Sequence, residues 1–416
     1  MLKGNNVVLI AVGDELIAGL KKEANISWLS AELMLRGQDV VAMEVIPDQE
    51  EVLVDMLDRW AGRVALIVIS GGLGPTHDDR TREAIAKFLG LPLVAEKDVY
   101  DRIISRYPAD LRESLERSGE RQAYIPSGAQ PIFNPLGSAL GFSIDFKGTK
   151  IFALPGVPQE FREMARVVLD FFKKDDEVCV GLCKVVGWPE IKLKDHIANI
   201  IREFPANVMF LPEPNIVTVA IKGPKHVVAT LQGKLMKLMK GDILPENASS
   251  LEDAVVKLAS KLNISLAFAE SCTGGMVGES VTRIPGASSV FAGSAVCYSN
   301  EAKEAVLGVP REVIEQFGAV SEECAVAMAR GAANIFKANC SASVTGIAGP
   351  SGGSERKPVG TVCFAVTCFQ RCKSWTRHLQ GDRETIRLWS NNIALEAVWR
   401  ELKDLAEKSG RNEGSN

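Results

Sequence analysis

Residues 269–275 read "AESCTGG", which sets two nucleophile types, Ser271 and Cys272, side by side ahead of Thr273, Gly274 and Gly275. The apolar run "ISLAFA" just before them reads as a strand, so a strand enters a small-residue turn and then a helix. Backbone N–H groups at such a helix start can hold a phosphate or a developing oxyanion. The plain alternative is that Ser271 and Thr273 only cap the helix. A catalytic serine needs a base, and the chain has four His: His77, His196, His226 and His378. Only His378 falls in the same C-terminal region, on a predicted strand far along the chain, so a Ser–His pair is poorly supported. A lysine can serve once burial or a second cation lowers its pKa. Lys303 is best placed: in "SAVCYSNEAK" a strand ends at Tyr298 and Asn300 is positioned to cap the helix that carries the lysine. An isolated Lys is otherwise a solvated surface residue.

Other stretches carry complementary chemistry. "VTGIAGPSGG" (344–353) is a strand followed by a glycine loop, with Thr345 at its mouth and Gly349 within it. It lacks the Lys of a P-loop, and its glycine spacing is not a dinucleotide fingerprint. "GDRETIR" puts Arg383 in the first turn of a helix, where it can receive a phosphate or carboxylate or stand as a surface cap. Near the N-terminus, "SGGLGPTHDDRT" (70–81) follows a buried strand. Gly71, Gly72 and Gly74 let a ligand approach the backbone, and Asp78 and Asp79 offer oxygen to a hard cation; a turn with an Asp cap is the simpler reading. Asp14, Glu15, Asp48 and Glu160 follow other strands. Acidic residues beyond several strand ends point to a metal-assisted phosphoryl site.

These residues need a frame. Over residues 1–171 strands alternate with helices: "NVVLIAVG", then "SWLSAELMLRG" with Trp28, Leu29 and Leu33 on one face, "QDVVAMEVI", "EEVLVDMLDRWAG" with Val52, Leu53, Met56, Leu57 and Trp60 on one stripe, and "VALIVISGGLG". The βαβαβ order predicts a parallel, doubly wound sheet covered on both faces, with ligands beyond the strand carboxyl ends. Residues 172–246 change texture. A charge run, "KKDDEV", leads into strands and a helix that fit a small α+β unit. Residues 247–408 form a third, α/β domain, and 409–416, "SGRNEGSN", read as a disordered tail.

The chain has 416 residues, 46% of them apolar, enough for two to four cores. A net charge of −4 gives no global field for nucleic acid. No apolar run reaches the roughly 18–20 residues that span a bilayer, and no signal-peptide pattern opens the chain. Nine Cys, an odd number without a CxxC, fit buried thiols in a reducing cytoplasm better than a zinc site or a disulfide framework.

"AESCTGG", "YSNEAK", "GAVSEE", "TGIAGPSGG", "KPVGT" and "GDR" occur in this order over residues 250–405, and they resemble the C-terminal domain of the CinA proteins. That domain is similar to nicotinamide mononucleotide deamidase, PncC. The resemblance implies amide hydrolysis, converting nicotinamide mononucleotide and water to nicotinate mononucleotide and ammonia without a cofactor. It implies Ser271 as nucleophile, Lys303 as base, Tyr298 and Thr345 lining the site, and Arg383 holding substrate. Thr273, Gly274 and Gly349 belong to the same substrate-binding stretches. Cys272 then becomes a bystander facing the other way. Residues 5–170 resemble the MoaB/MogA-like, molybdopterin-binding fold as it occurs at the N-terminus of CinA, and 172–246 sits where that family has a small KH-like domain. This implies cleavage of ADP-ribose to AMP and ribose 5-phosphate with a divalent metal of unknown identity. Asp48 and Asp79 match the MogA site, with Asp78, Asp79 and Glu160 as metal ligands and Gly71, Gly72 and Gly74 as substrate contacts. Before "WL" the family often reads Asp-Thr-Asn; here the stretch is "KEAN", and only Asn25 is retained. The middle segment shows no GxxG loop, so RNA binding is not inferred. The resemblance also implies a homodimer. Two alternatives stand beside this reading: a non-catalytic pterin- or nucleotide-binding N-terminal module, and an interaction protein of competence.

Overall fold

The structure, a computed structural model, describes residues 6–95, 101, 122–172 and 178–413, with side chains as far as residue 408. The chain divides into two compact units, Met1–Val180 with Lys222–Lys225 and Gly181–Ile221 with His226–Asn416. Most of the stretch expected as a small middle domain therefore clusters with the C-terminal residues.

The first unit is built on a six-stranded sheet, β1 (Asn6–Val12), β2 (Asp39–Ile46), β3 (Leu66–Ser70), β6 (Gln130–Ile132), β7 (Gly141–Phe146) and β8 (Thr149–Leu154), in the order β2-β1-β3-β8-β7-β6. Strands β4 (Leu93–Ala95) and β5 (Tyr124–Pro126) pair separately. Alternation along β1 explains the layering. Val8, Ile10 and Val12 enter one core with Leu53 and Leu57 of the helix Glu50–Trp60. Val7, Leu9 and Ala11 enter the other with Ile26, Leu29 and Leu33 of the helix Asn25–Leu35. A strand buried on both faces is what a doubly wound sheet requires. Strands β1, β2, β3 and β8 are parallel, as expected. The remaining edge is not: β7 and β6 run antiparallel to their neighbours. Lys147 and Gly148, both at positive φ (50° and 80°), turn β7 back into β8 as a two-residue hairpin.

The second unit carries a three-stranded sheet, β9 (Val178–Val186), β10 (Asn207–Glu213) and β11 (Ile216–Pro224), ordered β10-β11-β9. Its larger sheet comprises β12 (Leu266–Glu270), β13 (Phe291–Val296), β14 (Cys340–Gly346), β15 (Thr361–Cys368) and β16 (Arg371–His378), ordered β13-β12-β14-β15-β16. Strand β12 is parallel to both neighbours, and β15 and β16 complete the edge antiparallel. Leu266 and Phe268 face a core made with the helices Leu251–Leu262 and Arg383–Glu413, while Ala267 and Ala269 face the helix Glu322–Phe336. The last helix runs on through 409–413, the start of the stretch expected as a disordered tail. That stretch contains no proline to stop it; residues 414–416 lie outside the described residues. Among the described residues no helix is long and apolar enough to cross a membrane.

Candidate active site

Strand β12 delivers Glu270, Ser271 and Cys272 to the centre of the second unit. Glu270, fully buried, turns its carboxylate onto the start of the helix Met276–Thr282. Its Oε2 accepts the N–H groups of Gly275 (2.9 Å) and Val277 (3.0 Å). Its Oε1 accepts the N–H of Gly278 (2.9 Å) and the hydroxyl of Ser294 (2.7 Å). An internal carboxylate thus satisfies the orphan donors and the helix dipole. Two expectations change. Neither Ser271 nor Thr273 caps this helix through its side chain. Nor are these N–H groups open to a substrate anion, because Glu270 already occupies them. Glu270 was legible only as an acidic residue between a buried strand and a helix start, a capping signal hidden by the nucleophile next to it.

Ser271 faces Lys303. The helix Asn300–Leu307 is capped by Ser299, one residue before the expected Asn300, and carries Lys303 inward to 1% exposure. The Lys303 Nζ lies 3.1 Å from Ser271 Oγ, 3.0 Å from the carbonyl of Cys297 and 3.2 Å from that of Tyr298. Burial pushes the ammonium pKa below its usual value. A neutral amine has two N–H groups and one lone pair. As an ammonium, Nζ donates to Ser271 Oγ as well as to the two carbonyls; as the neutral amine it would keep the carbonyls on its two N–H groups and turn its lone pair to the Ser271 hydroxyl. Cys272 points the other way, 4% exposed in the apolar core with Leu266 and Val277. Burial raises its thiol pKa to about 12, so the thiolate form is disfavoured there. His378 stands 3.2 Å from the Thr361 hydroxyl on the neighbouring strand, in no relation to a triad.

Arg383 binds two expected residues together, donating from Nη1 to the Gly349 carbonyl and from Nη2 to the Tyr298 hydroxyl, both at 2.8 Å. It lines a cleft of about 380 Å³ with Met276 and Arg387. Arg387, one turn further along, donates to the Thr273 carbonyl at 2.7 Å. Its i+4 spacing from Arg383 in "GDRETIR" was the available signal. Gly274 is exposed at the turn, and the Thr273 hydroxyl is buried with no partner among the described residues. The Thr345 hydroxyl is committed to the Ala319 carbonyl at 2.7 Å.

In the first unit a cleft of about 580 Å³ opens beyond the strand ends. Asp48, Asp78, Asp79 and Glu160 line it, as do Gly71, Gly72 and Gly74. Asp14 and Asp48 exchange backbone-to-carboxylate bonds, Asp14 N–H to Asp48 Oδ2 at 2.8 Å and Asp48 N–H to Asp14 Oδ1 at 3.2 Å. Burial, with Asp14, Glu15 and Asp79 nearby, raises the Asp48 pKa above its usual value. Asn25 reaches the Ser70 hydroxyl (2.9 Å) and the Gly156 carbonyl (2.8 Å). Glu23, from the divergent "KEAN", accepts the N–H groups of Ile26 (2.7 Å) and Ser27 (3.0 Å) and so starts the helix. The glycines answer first to their own chain: at φ 106°, a Cβ on Gly71 would strike the Val12 carbonyl, and one on Gly72 would strike Thr81.

The expected metal set of Asp78, Asp79 and Glu160 is not assembled. Among the described residues no three His, Cys, Asp or Glu side chains gather around one point. The carboxylates serve their own turns instead. Asp79 Oδ2 accepts the N–H (2.9 Å) and hydroxyl (2.5 Å) of Thr76, and Glu160 Oε2 accepts the Asn134 amide at 2.7 Å.

The fold and its two sites define a two-unit α/β protein with an acidic cleft in one unit and a buried serine–lysine pair in the other. Residues 248–402 match the profile of the "CinA C-terminal domain", and residues 8–174 that of the "Probable molybdopterin binding domain". A "CinA-like protein" of Fervidobacterium nodosum is 39% identical over 94% of this chain and 97% of its own length. Another, from Thermotoga neapolitana, is 33% identical over 95% and 98%. The crystal structure of competence/damage inducible protein CihA from Agrobacterium tumefaciens is 39% identical over 36% of this chain and 91% of its own, with a TM-score of 0.35. The chain belongs to the CinA family.

Proposed function

We propose that the second unit is an amidohydrolase acting on nicotinamide mononucleotide, with Ser271 as nucleophile and Lys303 as its base. The observation that carries this reading is the 3.1 Å approach of a buried lysine Nζ to a serine hydroxyl, with the same Nζ held by the Cys297 and Tyr298 carbonyls. Ser271 Oγ attacks the carboxamide carbon while its proton passes to Lys303 Nζ. The tetrahedral intermediate collapses as Lys303 returns that proton to the departing ammonia, leaving an ester on Ser271. Water then attacks the ester, giving its proton to Lys303, which passes it to Ser271 Oγ as the ester bond breaks and nicotinate mononucleotide leaves. Arg383 and Arg387 line a cleft that Asp382 and Glu384 also line, and their guanidinium groups are the partners there for the nucleotide phosphate. The test is ammonia release from nicotinamide mononucleotide by the full chain, with mass spectrometry of a Ser271-linked acyl intermediate. A turnover carried by Cys272 with Ser271 removed overturns the reading.

We propose for the first unit that its cleft takes ADP-ribose, giving AMP and ribose 5-phosphate with water, and that Asp48 takes the proton of the attacking water. The raised carboxyl pKa of Asp48 in a cleft lined by Asp79 supports this role. A metal centre made of protein ligands alone is not supported. A hard divalent cation would draw most of its oxygens from the nucleotide's phosphates and from water. Product analysis after incubation with ADP-ribose, with and without magnesium, separates hydrolysis from simple binding.

A further inference from the structure

The second unit holds a cavity of about 540 Å³ that neither proposed chemistry uses. Three tryptophans line it: Trp188 from the turn after β9, Trp375 from β16 and Trp389 from the last helix. All three are half-buried. Two of these indoles are backed on one side by a second ring. His196 lies against Trp188 with centroids 5.0 Å apart, and Phe364 stacks on Trp375 at 5.6 Å with planes 12° apart. The Trp188 Nε1 is also fixed, donating to Asp242 Oδ2 at 2.9 Å. Rings held this way present a rigid aromatic wall, and Leu379 and Ile393 add apolar surface.

Charge makes the cavity selective. Lys373, Trp375, Arg377 and Leu379 alternate along the edge strand and its continuation, so they share the face that lines the cavity. Lys373 is paired with the buried Glu401 at 2.5 Å, and Arg400 with Glu396 at 2.7 Å. Arg377 has no ion-pair or hydrogen-bond partner from its side chain among the described residues, and it is exposed at the rim. Arg400 is held by Asp242 as well (2.9 Å), and Lys373 has Asp404 at 4.0 Å, so among the described residues Arg377 is the lining cation that no carboxylate holds.

We propose that this cavity is a further small-molecule site, taking a planar heteroaromatic ring that carries an anionic group: the ring against the indoles, the anion on Arg377. Its volume falls within the usual range of small-molecule pockets, roughly 300–1,000 Å³. Aromatic walls with one free cation suit a nucleotide or a free aromatic carboxylate and disfavour an uncharged nucleoside.

The test uses the full chain and three probes: AMP, nicotinate and adenosine. Isothermal titration measures affinity, and quenching of tryptophan emission reports occupancy at the indoles. The expected result is saturable quenching by AMP or by nicotinate, with adenosine weaker by roughly ten-fold or more. Arg377→Ala should weaken the charged probe by a similar factor while leaving deamidation unchanged, which also shows that the variant is folded. Ser271→Ala and Asp79→Asn should leave the quenching intact, separating this site from the other two. Which of AMP and nicotinate binds better distinguishes a nucleotide from a free aromatic acid as its source. No saturable quenching by either anion at millimolar concentration, equal affinity for adenosine and AMP, or full affinity in Arg377→Ala overturns the proposal.

Discussion

Lys303 reaches Ser271 from a helix that begins immediately after the two carbonyls that hold its amine. Cys297 and Tyr298 supply those carbonyls, and the lysine follows within the next six residues. The acceptors that orient the base and the helix that carries it are therefore one continuous stretch of chain.

Replacing the nucleophile tests the pair directly. Ser271→Ala should abolish ammonia release, a loss of about a thousand-fold or more where a serine attack is removed. Cys272→Ala should keep most turnover and lower stability by about 1 kcal/mol, from a small void in a packed core. Steady-state ammonia assays and thermal melts of both variants decide it; a dead Cys272→Ala enzyme with native melting would reverse the assignment.

Lys303 links activity to pH. Its folded-state pKa is lowered by burial, so the working neutral amine fills as pH rises through that lowered value. The deamidase rate should climb on this acidic limb, and Lys303→Arg should be nearly inactive, since guanidinium keeps its proton. Stability follows with a definite sign. Below the folded pKa the buried ammonium is at its most costly. Between that value and the unfolded value of about 10.4 the folded state binds fewer protons, so stability rises with pH. Lys303→Met should melt higher than the parent at low pH, and its advantage should shrink toward pH 10. A pH-independent difference in melting removes the buried-amine explanation.

Glu270→Gln keeps the shape but replaces one acceptor oxygen with an NH₂ aimed at backbone donors. Destabilisation of about 1–3 kcal/mol is expected from the donors left unsatisfied. As a positioning residue, Glu270 should affect kcat more than KM, because the loop it braces carries the nucleophile. Melting curves and full kinetics of this variant, compared with Ser294→Ala as a milder loss of one bond, check the split.

The acidic cleft should respond to cations apart from the deamidase. Asp48 has a raised pKa, so its charged form is disfavoured in the fold and its destabilising effect grows as pH rises through the ordinary carboxylate range. Magnesium with ADP-ribose should raise the melting temperature at neutral pH; ten-fold excess over Kd is worth about 1.4 kcal/mol. Asp48→Asn should lose the ADP-ribose cleavage, while deamidation survives both this change and a chelator. Deamidation that stops on chelation would place metal chemistry in the wrong unit.

Much of this architecture could be read from residue order. The apolar runs "NVVLIAV" and "ISLAFA" read as strands, and the spacing of Leu53 and Leu57 announced a covering helix. Ser271 and Lys303 were found because a strand end and a helix start bracket each of them. What stayed hidden were contacts between parts far apart in sequence. Nothing in "SGGLGPTHDDRT" says that Asp79 is spent on Thr76, or that Glu160 turns to Asn134. The antiparallel edge depends on two positive-φ residues, one of them a lysine, which propensity does not flag. The neighbours of Arg387 and of the tryptophan-lined cavity could be known only once the last helix was laid against the sheet and the turn that carries Thr273.

The carboxylate of Glu270 sits where a substrate anion would otherwise be sought, held by bonds made entirely within the chain. The turn carrying Ser271 is consequently preorganised: its conformational entropy is surrendered during folding rather than at each encounter. Substrate binding is spared the ordering of that turn, and so a larger share of the phosphate and ring contacts is left to appear as affinity.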